Sequence, residues 1–119
     1  MKEIIVILDD IRSTHNVGSI LRSCDGFGIS TVYACGYTPF PKVPNDSRLP
    51  HEQAKLHNAI AKTALGAEET VSVISGQSVA EVVATKRQLG YCIAALEQSE
   101  SSIRLPDYTA PDKLALIVG

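Results

Sequence analysis

Short apolar runs alternate along the chain with longer segments in which apolar residues recur at helical spacing. The runs rich in β-branched residues predict buried strands at residues 4–8, 31–35, 71–74, 91–96 and 114–118. The helical spacing predicts three helices, over residues 17–27, from about 51 to 65 with a stop at Gly66, and over residues 79–88. Strands that alternate with helices indicate an α/β fold with a parallel sheet covered by helices on both faces.

The segment from Asp9 to Gly28 contains the most distinctive polar residues. The first predicted strand ends at Asp9 and Asp10, and a few turn-forming residues separate it from the first helix. Asn16 lies at or just before the predicted helix start, and Gly18 leaves the first helical turn uncrowded. Free N–H groups at a helix N-terminus attract anions. Arg22 follows Asn16 by six residues, so we expect both side chains to converge on one ligand.

Composition narrows the class of protein. The 119 residues predict one domain, residues 1–119, large enough for a real core, and 45% hydrophobic with 20% charged residues is typical of globular proteins. A net charge of -2 excludes an extended basic surface, so any nucleic-acid contact must come from a local patch. No apolar run is long enough for a membrane span or a signal peptide, which predicts a cytoplasmic protein without a membrane partner. Three widely spaced cysteines predict buried, reduced thiols.

A long proline-rich loop is predicted over residues 36–50. Loops of this length are usually functional or mobile. Tyr37 and Phe40 within it are candidates for stacking on a nucleobase, and packing of the loop against the protein is an equal alternative. His51 and His57 are six residues apart and do not share a helical face, so we predict no metal site.

Three stretches resemble a known family. Asn16, Gly18, Arg22 and the Phe27-Gly28 pair match the spacing of the first signature motif of the SpoU or TrmH-type RNA ribose 2′-O-methyltransferases of the SPOUT superfamily. Residues 62–68 resemble a second stretch of that family, and residues 114–119 look like the opening of its second signature motif. The resemblance implies a Rossmann-like SPOUT fold, S-adenosylmethionine as methyl donor without a metal, tRNA or rRNA as substrate, and a homodimer.

The resemblance also implies roles for individual residues. Arg22 would be catalytic, with Asn16 positioning the ribose or orienting Arg22; the alternatives are an ion pair of Arg22 with Asp9, Asp10 or Asp25, and a plain helix cap for Asn16. The donor would lie against Ala95, Leu96, Glu97 and Gly119, although Glu97 is equally interpreted as an exposed turn residue. The cations that would contact RNA, or alternatively form ordinary solvated surface charges, are Arg12, Lys42, Arg48, Lys55 and Lys62.

The end of the chain departs from the family pattern. The last predicted strand stops at Gly119 without a covering helix, and the family's third motif and knot-forming helix are absent. We therefore expect an N-terminal, incomplete part of the methyltransferase domain, with weak donor binding, no activity alone and an uncertain homodimer. A non-catalytic RNA-binding fragment is the main alternative. The Asp9-Asp10 pair also suggests a receiver-like signalling domain, less favoured because Ser75 and Gly76 follow the third strand.

Overall fold

The computed structural model describes residues 2–96 and 111–119. In these two ranges, five strands and four helices follow one another in the α/β order that the sequence predicts. Their bounds are β1 Glu3–Asp9, α1 Thr14–Gly26, β2 Thr31–Cys35, α2 Pro50–Ala64, α3 Ala67–Thr70, β3 Ser72–Ser75, α4 Val79–Gln88, β4 Cys92–Leu96 and β5 Lys113–Val118. Only the one-turn helix α3 was not predicted. Among the described helices, none combines the length and the apolar character that crossing a membrane requires.

The five strands form one parallel sheet in the order β3-β2-β1-β5-β4. The central strand β1 pairs on one side with β2, where Val6 lies opposite Val32, and on the other with β5, where Val6 lies opposite Leu116. Because the strands are parallel, all their carboxyl ends lie at one edge of the sheet. The order also excludes the receiver-like alternative, since that class of domain has the order 2-1-3-4-5.

Successive side chains of β1 point to opposite faces of the sheet and build two cores. Val6 and Leu8 pack with Val17 and Leu21 of α1 and with Ile60 of α2. On the opposite face, Ile5 and Ile7 pack with Val82 of α4, among others. Helices therefore cover both faces of the sheet, which confirms the predicted fold class and explains the near-continuous apolar character of β1.

Two details of α1 differ from the predictions. Ser13 is the N-cap, its Oγ accepting the N–H of Asn16 at 3.1 Å, so Asn16 lies inside the first turn and is not the cap residue. Gly18 is buried against α2, where a Cβ atom would collide with Thr63 Oγ1 and the carbonyl oxygen of Ile60. Glycine at position 18 therefore allows α1 and α2 to pack closely, and its role is not to leave the first helical turn uncrowded.

Candidate functional site

Two loops are joined at the carboxyl edge of the sheet. Asp10, which follows β1 in a left-handed conformation (φ 52°), accepts the N–H of Tyr37 at 3.0 Å. Thr38, a buried polar residue, accepts the N–H of Ile11 at 3.0 Å and donates to the carbonyl of Leu8. Gly36 has φ 63° and lies so close to Asp10 that any Cβ atom would collide with its carboxylate. These contacts fix the loop after β1 to the loop after β2.

A pocket of about 550 Å³ lies between α1 and α2. Two basic side chains share it, Arg22 from α1 and Lys62 from α2. Three hydroxyl groups and one exposed leucine complete the lining, namely Ser19, Ser23, Thr63 and Leu65. Two positive charges surrounded by hydroxyl donors suit a phosphate group or another anion. The structure thus brings together two predicted site residues that are forty positions apart in sequence.

The guanidinium group of Arg22 is exposed and makes no ion pair or hydrogen bond with any residue in the ranges 2–96 and 111–119. The alternative interpretation of Arg22 as a structural partner of Asp9, Asp10 or Asp25 therefore finds no support there. Asp25 instead accepts a hydrogen bond from Thr70 at 3.0 Å. A cationic side chain to which the described residues offer no partner is available for a ligand.

Asn16 is exposed, and within the described part of the chain its side-chain amide has no hydrogen-bond partner. It is absent from the lining of the Arg22 pocket. Six helical residues separate the Cα atoms of Asn16 and Arg22 by about 9 Å along the axis and roughly 120° around it. Ser19 lies between the two on the helix surface. Asn16 and Arg22 are therefore at the two borders of one exposed face, and a ligand that touches both must be larger than one phosphate.

The other predicted RNA-binding cations fall into separate surroundings. Lys55 lies seven residues before Lys62 on α2, which places both on the same side of that helix about 10 Å apart. Arg12 donates its Nε–H to the Tyr37 hydroxyl at 3.3 Å, which raises the pKa of the guanidinium further. Lys42 lies in a different groove, which Glu68 and Glu69 also line. Of these residues, only Lys62 borders the Arg22 pocket.

Arg48 is held within the proline-rich loop. Its side chain forms an ion pair with Asp46, donates to the carbonyl oxygens of Phe40 and Pro41, and stacks over the Phe40 ring with Cζ 3.7 Å from the ring centroid. The hydrogen bonds that the Arg48 side chain donates to Asp46 hold the pKa of that carboxyl well below its usual range. The contacts favour a structural role for Arg48 over RNA contact, and they favour packing over base stacking for Phe40.

His57, Glu68 and Glu69 form the one group of side chains in the described ranges with potential metal-ligand atoms close together, all within 4.8 Å. His57 Nδ1 accepts the backbone N–H of Lys42 at 3.0 Å. The neutral ring therefore carries its proton on Nε2, which donates to Glu69 Oε1 at 2.9 Å. A metal ion at Nε2 would have to displace that proton. Hydrogen bonds thus account for the cluster, and the lack of a metal site stays a prediction.

Three of the four residues predicted to hold the methyl donor are described. Ala95 and Leu96 are exposed at the carboxyl end of β4, beside Ile117 and Val118 of β5, and Gly119 follows directly. A Cβ atom at Gly119 would lie 3.1 Å from the carbonyl oxygen of Asp9, so the backbone there is close to the end of β1. Glu97 lies outside the described residues.

The thiols agree only partly with the prediction. Cys24 and Cys35 are buried and free, and burial raises the pKa of Cys24 to about 11 and also raises that of Cys35. Cys92 is free but exposed, because the face of β4 that carries it has no helix packed on it within the described residues. The prediction of burial is therefore wrong for Cys92.

The hydroxyl residues around Arg22 were not predicted from the sequence. Ser19 lies three residues before Arg22, on the same side of α1, and helical spacing was a sufficient signal for it, whereas Ser23 directly follows Arg22 and its place in the pocket was not evident from spacing. Thr63 gave no such signal, because its place in the pocket depends on how α2 packs against α1.

Comparisons with known proteins agree with this architecture. The profile of the SpoU rRNA Methylase family matches residues 3–119. A "23S rRNA (guanosine-2'-O-)-methyltransferase RlmB" of Neisseria meningitidis is 30% identical over 116 residues, which are 98% of this chain and 40% of that protein. A "Putative TrmH family tRNA/rRNA methyltransferase" of Staphylococcus haemolyticus is 29% identical over 115 residues, again covering 97% and 40%. The chain spans about 40% of the length of these curated relatives.

Solved structures show the same fold. The "TrmH/SpoU tRNA modifying enzyme" of A. aeolicus superposes with a TM-score of 0.74 at 18% identity, over 100% of this chain and 53% of that one. The "SpoU Methyltransferase AviRb from Streptomyces viridochromogenes in complex with the cofactor AdoMet" gives a TM-score of 0.67 at 20% identity, over 98% and 43%. At these identities the likeness establishes the fold and nothing finer.

Proposed function

Because the chain belongs to the SpoU rRNA Methylase family, we propose that it acts in S-adenosylmethionine-dependent 2′-O-methylation of a ribose in tRNA or rRNA. Residues 1–119 belong, in this proposal, to one methyltransferase domain. The observation that carries it is the pocket between α1 and α2, in which Arg22 and Lys62 lie together while Arg22 has no partner in the described residues. A ribose hydroxyl that is to be methylated must be held by its neighbouring phosphate, and this pocket has the charge for that task.

Arg22 is the proposed catalytic residue. A guanidinium group stays protonated at any physiological pH, so Arg22 acts by gripping the phosphate beside the acceptor ribose and by stabilising the negative charge that develops on the 2′-oxygen, while the hydroxyl proton passes to water. Lys62 provides the second positive charge. Asn16, at the other border of the same helix face, positions the ribose through its side-chain amide, which has no hydrogen-bond partner among the described residues. Holding the reacting groups in line is itself a large part of the rate enhancement in such a reaction.

The methyl donor fits the carboxyl edge of β4 and β5. S-adenosylmethionine supplies an electrophilic methyl group on sulfur. Ala95, Leu96 and Gly119 leave small or exposed positions side by side there. Gly119 approaches Asp9 so closely that a larger residue would crowd the strand ends. We propose that these residues and Glu97 hold the donor, mainly through backbone groups.

The RNA path follows α2 away from the pocket. Lys62 and Lys55 lie on one side of that helix with a spacing of about 10 Å, which is suited to phosphates along one strand. We propose Arg12 as a further contact beyond Asn16 and Lys42 as a peripheral one. Arg48 was also predicted to contact RNA, but its hydrogen bonds with Asp46 and the loop carbonyls lead us to assign it to the loop structure.

The proposal includes a homodimer and a cytoplasmic location. Two exposed apolar side chains support the dimer: Leu65, which lines the pocket, is 64% exposed, and Phe27, directly after α1, is 84% exposed. Such residues mark protein-protein contacts when they are grouped. Sedimentation of the chain at several concentrations tests this point.

A non-catalytic RNA-binding role is the second candidate. It is favoured by the fact that the described lining of the basic pocket comes from α1, α2 and the residue after α2, and includes none of the residues proposed to hold the donor. In this case RNA binds with the same residues, and no methyl group is transferred.

RNA binding and donor binding separate the two functions. We expect fluorescence anisotropy to show that Arg22→Ala and Lys62→Ala each weaken binding of a tRNA transcript or an rRNA fragment by about ten-fold and reduce the salt slope by about one. Arg87→Ala, an exposed cation on α4 across the sheet, is the matched control and should bind as the parent chain does.

Calorimetry with S-adenosylmethionine and a tritiated-methyl transfer assay then follow. The enzyme function is supported if the chain binds the donor and transfers its methyl group to RNA, and if Arg22→Ala abolishes that transfer. RNA binding without either supports the second candidate. If Arg22→Ala and Lys62→Ala bind RNA as tightly as the parent chain, the assignment of the pocket is wrong.

A further inference from the structure

Tyr37 presents an aromatic ring to solvent from a rigid backbone. Tyr37 as a residue is 58% exposed, although the backbone on both sides of it is held by hydrogen bonds. Its own N–H donates to Asp10, and Thr38 donates its N–H to the carbonyl of Cys35 at 3.3 Å. Gly36, in its left-handed conformation, turns the chain directly after β2. A large apolar ring held in water on a fixed backbone loses little entropy when it meets a ligand.

Arg12 adds a cation to this ring. Its Cζ atom lies 5.5 Å from the ring centroid, and its Nε–H donates to the Tyr37 hydroxyl. The hydrogen bond uses only one of the five guanidinium N–H groups, and within the described ranges the other four have no protein partner. The pair therefore offers an aromatic face and free charged donors at one place.

The other aromatic residue of the loop behaves differently. Phe40 is half-buried and covered by the guanidinium of Arg48, which is itself tied to Asp46. Phe40 and Arg48 thus pack the loop internally. The Arg12 guanidinium also contacts a ring, that of Tyr37, but within the described ranges it forms no ion pair with a carboxylate and no hydrogen bond to a loop carbonyl, and the Tyr37 ring stays exposed where Phe40 is half-buried.

We propose that Arg12 and Tyr37 form a binding site for an unpaired nucleotide of the RNA, in which the base stacks on the Tyr37 ring and Arg12 contacts the flanking phosphate. The inference rests on the proposed RNA-directed function and extends it to the kind of RNA recognised. Aromatic rings take up bases that are splayed out of a helix, whereas bases within a duplex are already stacked on each other. The site thus selects a single-stranded loop or bulge over a continuous duplex.

The absence of tryptophan from the chain gives a direct test. Tyr37→Trp introduces one fluorophore at the site, and stacking of a base on an indole ring quenches its fluorescence. We expect an unstructured oligouridine strand to quench it, and the same strand annealed to oligoadenosine to leave it nearly unchanged. Leu89→Trp is the matched control, because Leu89 is exposed just before β4 at the opposite edge of the sheet.

Affinity measurements complete the test. Tyr37→Leu should weaken single-strand binding about ten-fold, whereas Tyr37→Phe, which keeps the ring, should stay within about two-fold of the parent chain. Equal quenching by strand and duplex, or unchanged affinity of Tyr37→Leu, would overturn the site. If Arg22→Ala weakens RNA binding while Tyr37→Leu does not, this inference fails and the proposed function stands. If the parent chain binds no RNA, both fail.

Discussion

Gly18→Ala is the substitution that most directly tests how the candidate pocket is built. Gly18 lies where α1 meets α2, and a Cβ atom there would collide with Thr63 Oγ1 and with the Ile60 carbonyl, and would come within 3.0 Å of the Ala64 nitrogen. The hydroxyl of Thr63 can rotate away only by giving up its hydrogen bond to the carbonyl of His15, 2.8 Å long. The two backbone atoms cannot move without separating the helices.

The expected loss of stability follows from three contributions. Overpacking at a close contact costs about 1–3 kcal/mol, and loss of the Thr63 hydrogen bond costs about 1 kcal/mol. The better helix propensity of alanine returns about 1 kcal/mol. The free energy of unfolding should therefore fall by about 1–3 kcal/mol. At about 4 °C per kcal/mol for a domain of this size, the melting temperature should fall by roughly 4–12 °C.

Thermal unfolding followed by circular dichroism measures this shift. Gly26→Ala is the matched control: Gly26 is the last residue of the same helix, has no atom within 4 Å of a Cβ position and does not have a positive φ. It should be neutral or slightly stabilising. Adding Thr63→Ala to Gly18→Ala should recover part of the loss but not all, since Ile60 remains in contact. Unfolding of Gly18→Ala at or above the parent temperature would refute the close helix contact.

Three further predictions concern the loops and caps. Gly36→Ala should lower the free energy of unfolding by several kcal/mol, because the left-handed conformation costs alanine about 1–2 kcal/mol and the new Cβ atom would also collide with Asp10. Gly28→Ala, with φ 76° and open space around it, should lose only the conformational contribution. Urea unfolding of both variants compares the two losses. Ser78→Ala removes the capping box of α4 and should lower the free energy of unfolding by about 1 kcal/mol, as measured by the same method. The pKa of Asp46 is lowered in the folded chain, so its stabilising contribution is complete above about pH 4 and is lost as the pH falls below that value. Melting temperatures recorded from pH 7 to pH 3 should therefore fall less steeply for Asp46→Asn than for the parent chain, and parallel curves would contradict the Asp46 contact.

The sequence was sufficient to predict the helices and strands whose bounds are determined by local interactions. Helix α4 begins and ends as predicted because Ser78 and Glu81 form a capping box at its start and its apolar positions recur at helical spacing. Strand β2 also has the predicted bounds, because its buried run is closed by Gly36. The short helix α3 was missed because its four residues are too few to show a period.

Long-range contacts were beyond such reasoning. The sequence shows Asp10 and Gly36 as a charge after one strand and a turn after another, and only the pairing of β1 with β2 brings them together. The same holds for Arg48: in sequence it is one more surface cation, and its partner Asp46 and the stacked Phe40 become apparent only when the loop is folded. Tertiary contacts therefore decide which charged side chains have a structural role and which can bind a ligand, and the sequence alone does not distinguish the two.

The first motif places two residues with different physical roles, Gly18 and Arg22, on the same helix. Arg22 supplies the charge of the pocket, but the pocket exists only because α2 lies close enough to bring Lys62 opposite it, and Gly18, one turn earlier, permits that approach. The second stretch of family resemblance begins at Lys62 and includes Thr63 and Ala64, two of the three α2 residues that lie against Gly18. Gly18 and Arg22 thus act together: Gly18 lets α2 pack closely against α1, and Arg22 lies in the pocket that the two helices form. For this reason Gly18→Ala should weaken RNA binding at temperatures where the chain is still folded, and Gly26→Ala should not.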